Sequence, residues 1–482
     1  MNKTLIFLGM LVAVGLLFEF GSGKVATDDI FTRIVDNVGI EEVGGDSLGG
    51  AQTVKADGYF NLFNYDKGYY ERVFATVKNS VPYVSDVTAM LLPASFYEAE
   101  NIAEAFVRLK ATQKVDNFII IGENHSRRGR YEISCSRYGY KTPYGELEPN
   151  IDIIDKLELP FSYWSFWNEY SVGIFSAFIK RTFPEAKIVP IVIKDFEAEN
   201  GLADLAETLA AIPPEKTVLI VSSDFAKGIT YRTAEFHDEL SRDVMENFDG
   251  SGISQMDVDS RPGMSVLFKY LELFDGKKAD IQSHDVSDGN SYFVTTFHDG
   301  NAVSSDRDLS IMAFGDIMLG RYVRVLMDQY GKDYIFEKIK GDEGRFFDGA
   351  DVVFGNLEGP IDGQGTKGGT SMVFSFNEDV APFLKNSGFT LVSIANNHSL
   401  DQGAAGRDST IAALDKNGIG WCGNPSNADP SGVYYGKAGD KTYAFLCFQD
   451  VTNKLDDEAA VSLIKSVRPN VDFLIVSIHW GY

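Results

Sequence analysis

Short apolar runs alternate with helix-like stretches along most of the chain. In the first half these runs occur at residues 118–121, 187–193 and 217–222, and amphipathic stretches separate them. Short β-rich apolar runs indicate buried strands, and strands that alternate with helices indicate an α/β layer fold. The pattern pauses at the polar, turn-rich stretch 298–306, where we place a domain boundary.

The same rhythm resumes after this boundary and predicts a second α/β domain. Helical stretches are predicted at 378–385 and 408–416, and the second of these ends at the helix stop Asn417-Gly418. Five further apolar runs are each typical of a buried strand. They lie at residues 309–314, 350–354, 390–395, 442–448 and 471–478.

The N-terminus has the order of residues that is typical of an export signal. Lys3 precedes an apolar run at 5–18, and a Gly-Ser-Gly stretch follows. The run is shorter than the ~20 residues that span a bilayer, and no small-x-small cleavage site follows it, so a signal peptide and a signal anchor both stay open. We favour the anchor, which would tether the protein to the membrane with its domains outside. Cleavage would instead give a secreted protein.

Composition limits the functions that are compatible with the chain. The chain has 482 residues, which is more than a single hydrophobic core usually supports, so two domains are expected. A formal net charge of −25 argues against nucleic-acid partners, because phosphates would be repelled. Cys135, Cys422 and Cys447 are far apart and odd in number, so we predict neither a disulfide framework nor a cysteine zinc site.

Polar clusters follow four of the predicted strands in the second domain. In an open α/β fold, ligands collect beyond the carboxyl ends of strands. Carboxylate, carboxamide and imidazole ligands together suit manganese, zinc or iron, and two such ions can activate water beside a phosphoryl group. Any one of these clusters could be a plain turn, a helix cap or a core histidine. Four clusters that each follow a predicted strand instead favour a functional site. The side chains are Asp316, Asn356, Glu358, Asn396, Asn397, His398, Asp401 and His479.

The motifs at 315–321, 356–361, 395–403 and 479–481 resemble those of the CapA (poly-γ-glutamate capsule synthesis) family, in that family's order. The resemblance implies a calcineurin-like metallophosphatase fold and a role in making or exporting an extracytoplasmic anionic polymer. That polymer or its precursor is therefore the expected partner. Family members continue beyond His-Trp-Gly with further ligands, so we expect an incomplete domain here, which is a metallophosphoesterase-like hydrolase if the full gene product completes it.

The same resemblance implies roles for the individual side chains at the strand ends. Four of them would be metal ligands, namely Asp316, Glu358, Asn397 and His479. His398 would donate a proton to a leaving oxygen and would be catalytic together with Asp316. Three side chains would orient the ligands or bind substrate. These are Asn356, Asn396 and Asp401.

The first domain resembles the Memo-like family, which includes protein B of the AmmeMemoRadiSam system and is related in fold to LigB-class dioxygenases. The motifs that carry the resemblance lie at 122–125, 142–145, 169–171, 188–191 and 222–225. The pocket departs from the family, because three positions where the family has histidine are replaced. These are Ala94, Tyr170 and Lys227, whereas His125 and Asp224 remain.

These replacements predict that the first domain holds no metal. A single imidazole cannot hold a metal against water, and the ammonium of Lys227 would repel a cation by several kcal/mol at roughly 4 Å. Three interpretations stay open. Lys227 forms an internal ion pair with Asp224, it binds an anion together with Arg127 and Arg128, or the domain is merely structural.

The predicted organisation comprises an export signal, a spacer and two α/β domains. His237, His284 and His298 fit no ligand spacing and are interpreted as ordinary surface or edge histidines, and Trp164 and Trp167 as core. The leading hypothesis is an extracytoplasmic protein of cell-envelope or capsular polymer synthesis or export, with metal-assisted hydrolase or transferase chemistry. The alternative is a non-catalytic binding or scaffold protein. The segments are 1–24 for the signal, 25–68 for the spacer, 69–300 for the Memo-like domain and 307–482 for the CapA-like domain.

Overall fold

A computed structural model describes the chain from residue 56 to residue 481 with short gaps. The gaps lie at 78–79, 195–198, 214–215, 275, 288, 303–308, 338, 340–344 and 365–371. The predicted export signal and most of the predicted spacer therefore lie outside the described residues. Within the described part of the chain, no helix is long and apolar enough to cross a membrane.

A seven-stranded sheet forms the centre of the first domain, in the order β4-β7-β3-β8-β2-β10-β9. The four strands β7, β3, β8 and β2 run parallel, and the sheet continues with antiparallel strands on both sides. The predicted strands at 118–121, 187–193 and 217–222 are confirmed, because their apolar side chains pack against helices. The strands are β2 (Val87–Leu92), β3 (Asn117–Glu123), β4 (Ile133–Cys135), β7 (Lys187–Ile193), β8 (Thr217–Ser222), β9 (Lys278–Ser287) and β10 (Asn290–His298).

Helices cover this sheet, and their apolar residues form two clusters with the strands. The helices are α1 (Lys67–Thr76), α2 (Ala99–Thr112), α3 (Ile151–Lys156), α4 (Tyr163–Phe166), α5 (Tyr170–Gly173), α6 (Ser176–Thr182), α7 (Glu199–Ala210), α8 (Tyr231–Asn247) and α9 (Arg261–Leu273). A smaller sheet lies beside them, in the order β1-β5-β6. Its strands are β1 (Gly58–Asn61), β5 (Tyr138–Thr142) and β6 (Gly145–Leu147). Part of the stretch predicted as a spacer thus pairs with the domain, because β1 runs parallel to β5.

The second domain contains a parallel sheet in the order β11-β12-β13-β14 and a mixed sheet in the order β15-β16-β17. All five predicted strands are present in these two sheets, so the expected α/β class is confirmed. The strands are β11 (Ile311–Ile317), β12 (Val352–Leu357), β13 (Leu391–Ser393), β14 (Gly420–Cys422), β15 (Tyr434–Ala438), β16 (Lys441–Gln449) and β17 (Phe473–His479). The helices are α10 (Arg321–Tyr330), α11 (Tyr334–Glu337), α12 (Val380–Asn386), α13 (Gly403–Lys416) and α14 (Asp457–Val467).

A disulfide between Cys422 and Cys447 joins the two sheets of the second domain. Cys422 ends β14 and Cys447 lies in β16, their Cα atoms are 5.5 Å apart, and both side chains are buried. The prediction that the cysteines form no disulfide was therefore wrong. Spacing along the chain did not indicate the bond, because the packing of one sheet on the other brings the two sulfur atoms together.

Three interpretations of single residues also need correction. His237 is only 1% exposed, and its ring nitrogens face Asp257 at 2.6 Å and the carbonyl of Phe346 at 2.9 Å. His298 is likewise buried, so neither of these histidines is a surface residue, whereas His284 does lie on the edge strand β9. Trp167 is 46% exposed and is not part of the core.

Candidate functional site

The parallel register of β11, β12 and β13 brings three of the polar clusters to one edge of the sheet. Asp316 pairs with Asn356 across β11 and β12, and Asn356 pairs with Ser393 at the end of β13. The chain then continues from β13 into the loop that carries Asn397. Because parallel strands end at a common edge, residues that are far apart in sequence become neighbours.

Asn356 connects the first strand end to the others. Its Nδ2 donates a hydrogen bond to Asp316 Oδ1 at 2.8 Å and lies 3.2 Å from His479 Nδ1. Its Oδ1 accepts a hydrogen bond from Asn396 Nδ2 at 3.1 Å, and Asn396 also donates to the carbonyl of Leu357 at 2.9 Å. Asn356 and Asn396 therefore fix the orientation of the side chains around them.

His479 lies between the oxygen ligands that the sequence predicted. Its Nε2 is 2.8 Å from Asn397 Oδ1 and 3.8 Å from Glu358 Oε1, and its Nδ1 is 3.4 Å from Asp316 Oδ1. Burial and the nearby charge of Asp316 raise the pKa of Glu358 above its ordinary value. A positive charge between these two carboxylates would offset both effects.

His398 lies on the other side of Glu358 and is held firmly. Its Nδ1 is 2.8 Å from Asp401 Oδ2, its Nε2 is 3.9 Å from Glu358 Oε1, and the ring of Phe374 packs against it with the centroids 4.2 Å apart. Asp401 also accepts a hydrogen bond from the backbone N–H of Phe374 at 2.6 Å. Asp401 therefore fixes the imidazole so that Nε2 faces the cluster.

A glycine allows the chain to turn immediately after Glu358. Gly359 has a φ of 150°, and a Cβ atom there would lie 2.6 Å from the ring of Phe376. A larger residue would therefore displace Phe376 and the turn that places Glu358. This close approach explains the Glu-Gly pair at the end of β12.

The four predicted ligands offer donor atoms of the kinds that bind divalent metals. Two carboxylates and one carboxamide oxygen lie between 2.8 and 3.8 Å from the imidazole of His479. This mixture of donors suits manganese, zinc or iron. The supporting amides and Asp401 form the hydrogen-bonded surroundings that metal ligands commonly have. The structure thus brings together all eight side chains that the sequence singled out in this domain.

In the first domain, Lys227 lies among carboxylates. Its Nζ donates to Asp259 Oδ2 at 2.5 Å and is 3.6 Å from Asp224 Oδ2, so the ion pair that the sequence left open is present. Burial lowers the pKa of Lys227, but the charges of Asp259 and Asp224 outweigh burial and raise it above its ordinary value. Asp224 also accepts the backbone N–H of Ala94 at 2.8 Å. The ammonium therefore lies among the carboxylates of this pocket.

His125 adds a second positive charge to this pocket. Its Nδ1 is 3.0 Å from Glu169 Oε1, its Nε2 is 3.8 Å from Asp259, and the ring of Tyr170 stacks on it. Burial lowers the pKa of His125, but the interactions with Asp259 and Glu169 outweigh burial and raise it to about 10. The imidazole is therefore protonated at neutral pH.

Sequence reasoning missed two residues of this pocket, Asp259 and Arg345. Arg345 comes from the second domain, and its Nε lies 2.5 Å from Asp257 Oδ1 while its Nη2 lies 3.4 Å from Asp259 Oδ1. No local motif marks either residue, because they meet only when the domains pack together. Among the described residues, the ligand atoms of Glu123, His125 and Asp259 lie within 4.8 Å of one another, a spacing that could hold a metal ion. The positive charges of Lys227 and of protonated His125 would compete with a metal ion for these ligand atoms.

Comparisons with known proteins give two separate matches, and the N-terminal one ends just before β10. Residues 310–482 match the family described as bacterial capsule synthesis protein PGA_cap, and residues 72–289 match the family of Memo-like proteins. The PGA biosynthesis protein CapA of Bacillus subtilis is 30% identical over 195 residues, which are 37% of this chain and 50% of that protein. The capsule biosynthesis protein CapA of Bacillus anthracis is 28% identical over 195 residues, which are 36% of this chain and 46% of that protein.

A similar match exists for the first domain. A MEMO1 family protein of Methanosarcina mazei is 30% identical over 154 residues, which are 29% of this chain and 54% of that protein. The chain thus spans about half the length of the curated relatives that it matches. The comparisons support two separate resemblances, one for each domain.

Proposed function

Because the chain joins a Memo-like region to a region of the bacterial capsule synthesis PGA_cap family, we propose that it acts in the synthesis or export of a capsular or other cell-envelope polymer. The proposed chemistry is metal-assisted hydrolysis or transfer at a phosphoryl or acyl centre. The observation that carries this proposal is the convergence of Asp316, Glu358, Asn397 and His479 from four strand ends.

Each side chain then has a role that follows from its contacts. A divalent metal held by Asp316, Glu358, Asn397 and His479 would supply Lewis acidity and neutralise developing negative charge. Asn356 restrains Asp316 by the hydrogen bond to its Oδ1. His398 holds a proton at Nε2 and donates it to the leaving oxygen, and Asp401 keeps the imidazole in the required orientation.

We propose that the protein works outside the cytoplasm, either tethered through its apolar N-terminal run or secreted. The buried disulfide between Cys422 and Cys447 supports this location, because disulfides persist mainly in oxidising compartments. The proposed partner is an anionic envelope polymer or its precursor. A protein with a net charge of −25 repels such a polymer, so bound divalent metal would be needed to bring the two together.

Substitution of Asp316 and His398 in the full chain tests the proposed chemistry. We expect manganese-dependent hydrolysis of bis(p-nitrophenyl) phosphate, and we expect Asp316→Asn and His398→Gln each to lower kcat/KM by a factor of about 100 or more, the loss typical of general acid–base and metal groups. Asp408→Asn, which changes an exposed carboxylate on α13, is the matched control and should retain activity.

The opposite result would favour a different class of function. If the unsubstituted chain shows no turnover with manganese, zinc or iron but still binds an anionic polymer such as poly-γ-glutamate, the chain is a binding or scaffold protein. The pocket around Lys227 favours this alternative for the first domain, because internal ion pairs occupy it. Turnover that is equal in all variants would place the chemistry elsewhere.

A further inference from the structure

A cavity of about 340 Å³ in the second domain lies beside the first strand end of the candidate site. Asp316 belongs to its lining, so the cavity adjoins one of the four proposed metal ligands. The volume falls within the roughly 300–1,000 Å³ of most small-molecule pockets. The end of β11, the loop after it, and the helices α10 and α11 supply most of the wall, which is called the apolar cavity below.

The wall of the apolar cavity consists of hydrophobic side chains that keep contact with solvent. Four of them are only partly buried, although each packs against the core of the domain, and these are Phe314, Val323, Ile335 and Phe336. The buried ring of Phe389 lies beneath two of them, with its centroid 5.7 Å from that of Phe314 and 5.9 Å from that of Phe336. Hydrocarbon that covers such surface removes it from water, which is favourable. The wall therefore favours an apolar ligand.

Asp316 is the only ionisable residue among the described residues that line the cavity. The two arginines of α10 lie outside the lining. Arg324 Nε donates to Asp328 Oδ1 at 2.8 Å, and Arg321 Nη1 lies 3.7 Å from the sulfur of Met372. Beyond Asp316, the described lining thus offers no charged side chain to a ligand, so a ligand would be polar at the Asp316 end and apolar elsewhere.

The neighbouring part of the chain that the structure does not describe has a polar sequence. Residues 338 and 340–344, which follow α11, are lysine, glycine, aspartate and glutamate. Such residues rarely lie against apolar surface, since their charges would lose contact with water. A separate hydrocarbon group therefore fits the cavity better than this segment does.

We propose that the apolar cavity binds a hydrocarbon chain esterified to the phosphorus of the substrate, which is then an amphiphilic phosphodiester, a lipid-linked precursor. This inference rests on the proposed function, because Asp316 connects the cavity to the proposed metal ligands. In the hydrolysis, a water oxygen bonds to phosphorus and the water loses a proton to solvent. The bond from phosphorus to the leaving oxygen breaks, and this oxygen takes a proton from His398. The hydrocarbon chain stays on phosphorus and in the cavity.

Phosphodiesters of graded chain length test this inference on the full chain. The probes are p-nitrophenyl phosphodiesters whose second ester group is methyl, butyl or hexyl, assayed with manganese by release of p-nitrophenolate. We expect kcat/KM to rise about threefold for each methylene group that enters the cavity, because burial of a methylene group is favourable. The readout is the ratio of kcat/KM for the hexyl ester to that for the methyl ester.

Two substitutions of Val323 and a matched control locate the effect in the cavity. Val323→Phe fills part of the cavity and should bring the ratio close to one. Val323→Thr keeps the shape of valine but adds a hydroxyl to the wall, so it should also lower the ratio, and it serves if phenylalanine disturbs folding. Val325→Phe is the same change on the same helix, at a position that is 40% exposed and outside the lining, and it should keep the ratio of the original protein.

The possible results separate this inference from the proposed chemistry. Equal turnover of the three esters overturns the inference and leaves the proposed chemistry in place. If no ester is hydrolysed, the proposed chemistry fails, and calorimetric titration with hexylphosphonate and methylphosphonate decides about the cavity. At least tenfold tighter binding of hexylphosphonate, lost in Val323→Phe, supports the hydrocarbon site, and equal binding overturns it. A dimer of the full chain that Val323→Phe dissociates also overturns it, because a second copy would then cover the cavity.

Discussion

At the residue scale, Lys227 places a positive charge between two carboxylates of the first domain. The carboxylates of Asp224 and Asp259 would repel each other without a positive charge, and the Lys227 ammonium supplies it at 3.6 and 2.5 Å. Breaking a buried ion pair by removing one partner is typically costly because a charge is left unpaired. The ion pairs of this pocket therefore help to stabilise the fold.

His125 gives this pocket a dependence on pH. Its pKa is about 10 in the folded protein against an ordinary value of 6.5, so its protonation stabilises the fold fully below pH 6.5 and this contribution is lost as the pH rises through about 10. We expect His125→Gln to lower the free energy of unfolding most at pH 6 and much less at pH 10. Urea unfolding of both proteins over this range measures the difference, and a difference that does not vary with pH would contradict the raised pKa.

At the element scale, the second domain depends on two sheets that pack against each other. The parallel sheet supplies three of the four strand ends of the candidate site, and β17 of the other sheet supplies the fourth through His479. Any shift between the sheets would therefore move His479 away from Asp316 and Glu358. The disulfide from β14 to β16 restrains such a shift, since β16 pairs directly with β17.

Removal of this disulfide should destabilise the second domain. The two cysteines are 25 residues apart, for which chain entropy predicts a contribution of about 3–4 kcal/mol. We expect the Cys422→Ser, Cys447→Ser double variant to lose this amount in denaturant unfolding. A reducing agent should destabilise the original protein similarly and leave the double variant unchanged, and an equal effect of the reducing agent on both would argue against the bond.

At the scale of the whole molecule, a segment of the second domain packs into the first. Arg345 pairs with Asp257 and Asp259 and donates to the carbonyl of Val258 at 3.0 Å, while Phe346 accepts from His237. The pair between Arg261 and Asp348, at 2.9 Å, adds to this contact. The charged groups around Asp257 and Asp259 therefore help to join the two domains.

Substitution of Arg345 should weaken this contact between the domains. The side chain of Arg345 is only 15% exposed. Arg345→Met therefore leaves the carboxylates of Asp257 and Asp259 with less compensating charge. We expect the variant to unfold in two separate thermal transitions, whereas the original protein unfolds in a more concerted way. Differential scanning calorimetry measures the effect. Arg407→Met, which removes an exposed pair within α13, is the control, and identical calorimetric profiles for all three proteins would show that Arg345 does not couple the domains.

The amino-acid sequence alone predicted two α/β domains and the eight polar side chains at the strand ends of the second domain. It could do so because apolar periodicity and strand-end position are local properties, and parallel strands must bring their ends together. The disulfide, the burial of His237 and the ion pairs of Asp259 and Arg345 became visible only in the folded structure. These depend on contacts between segments that are distant in sequence, and no local pattern records which distant segments will pack against each other.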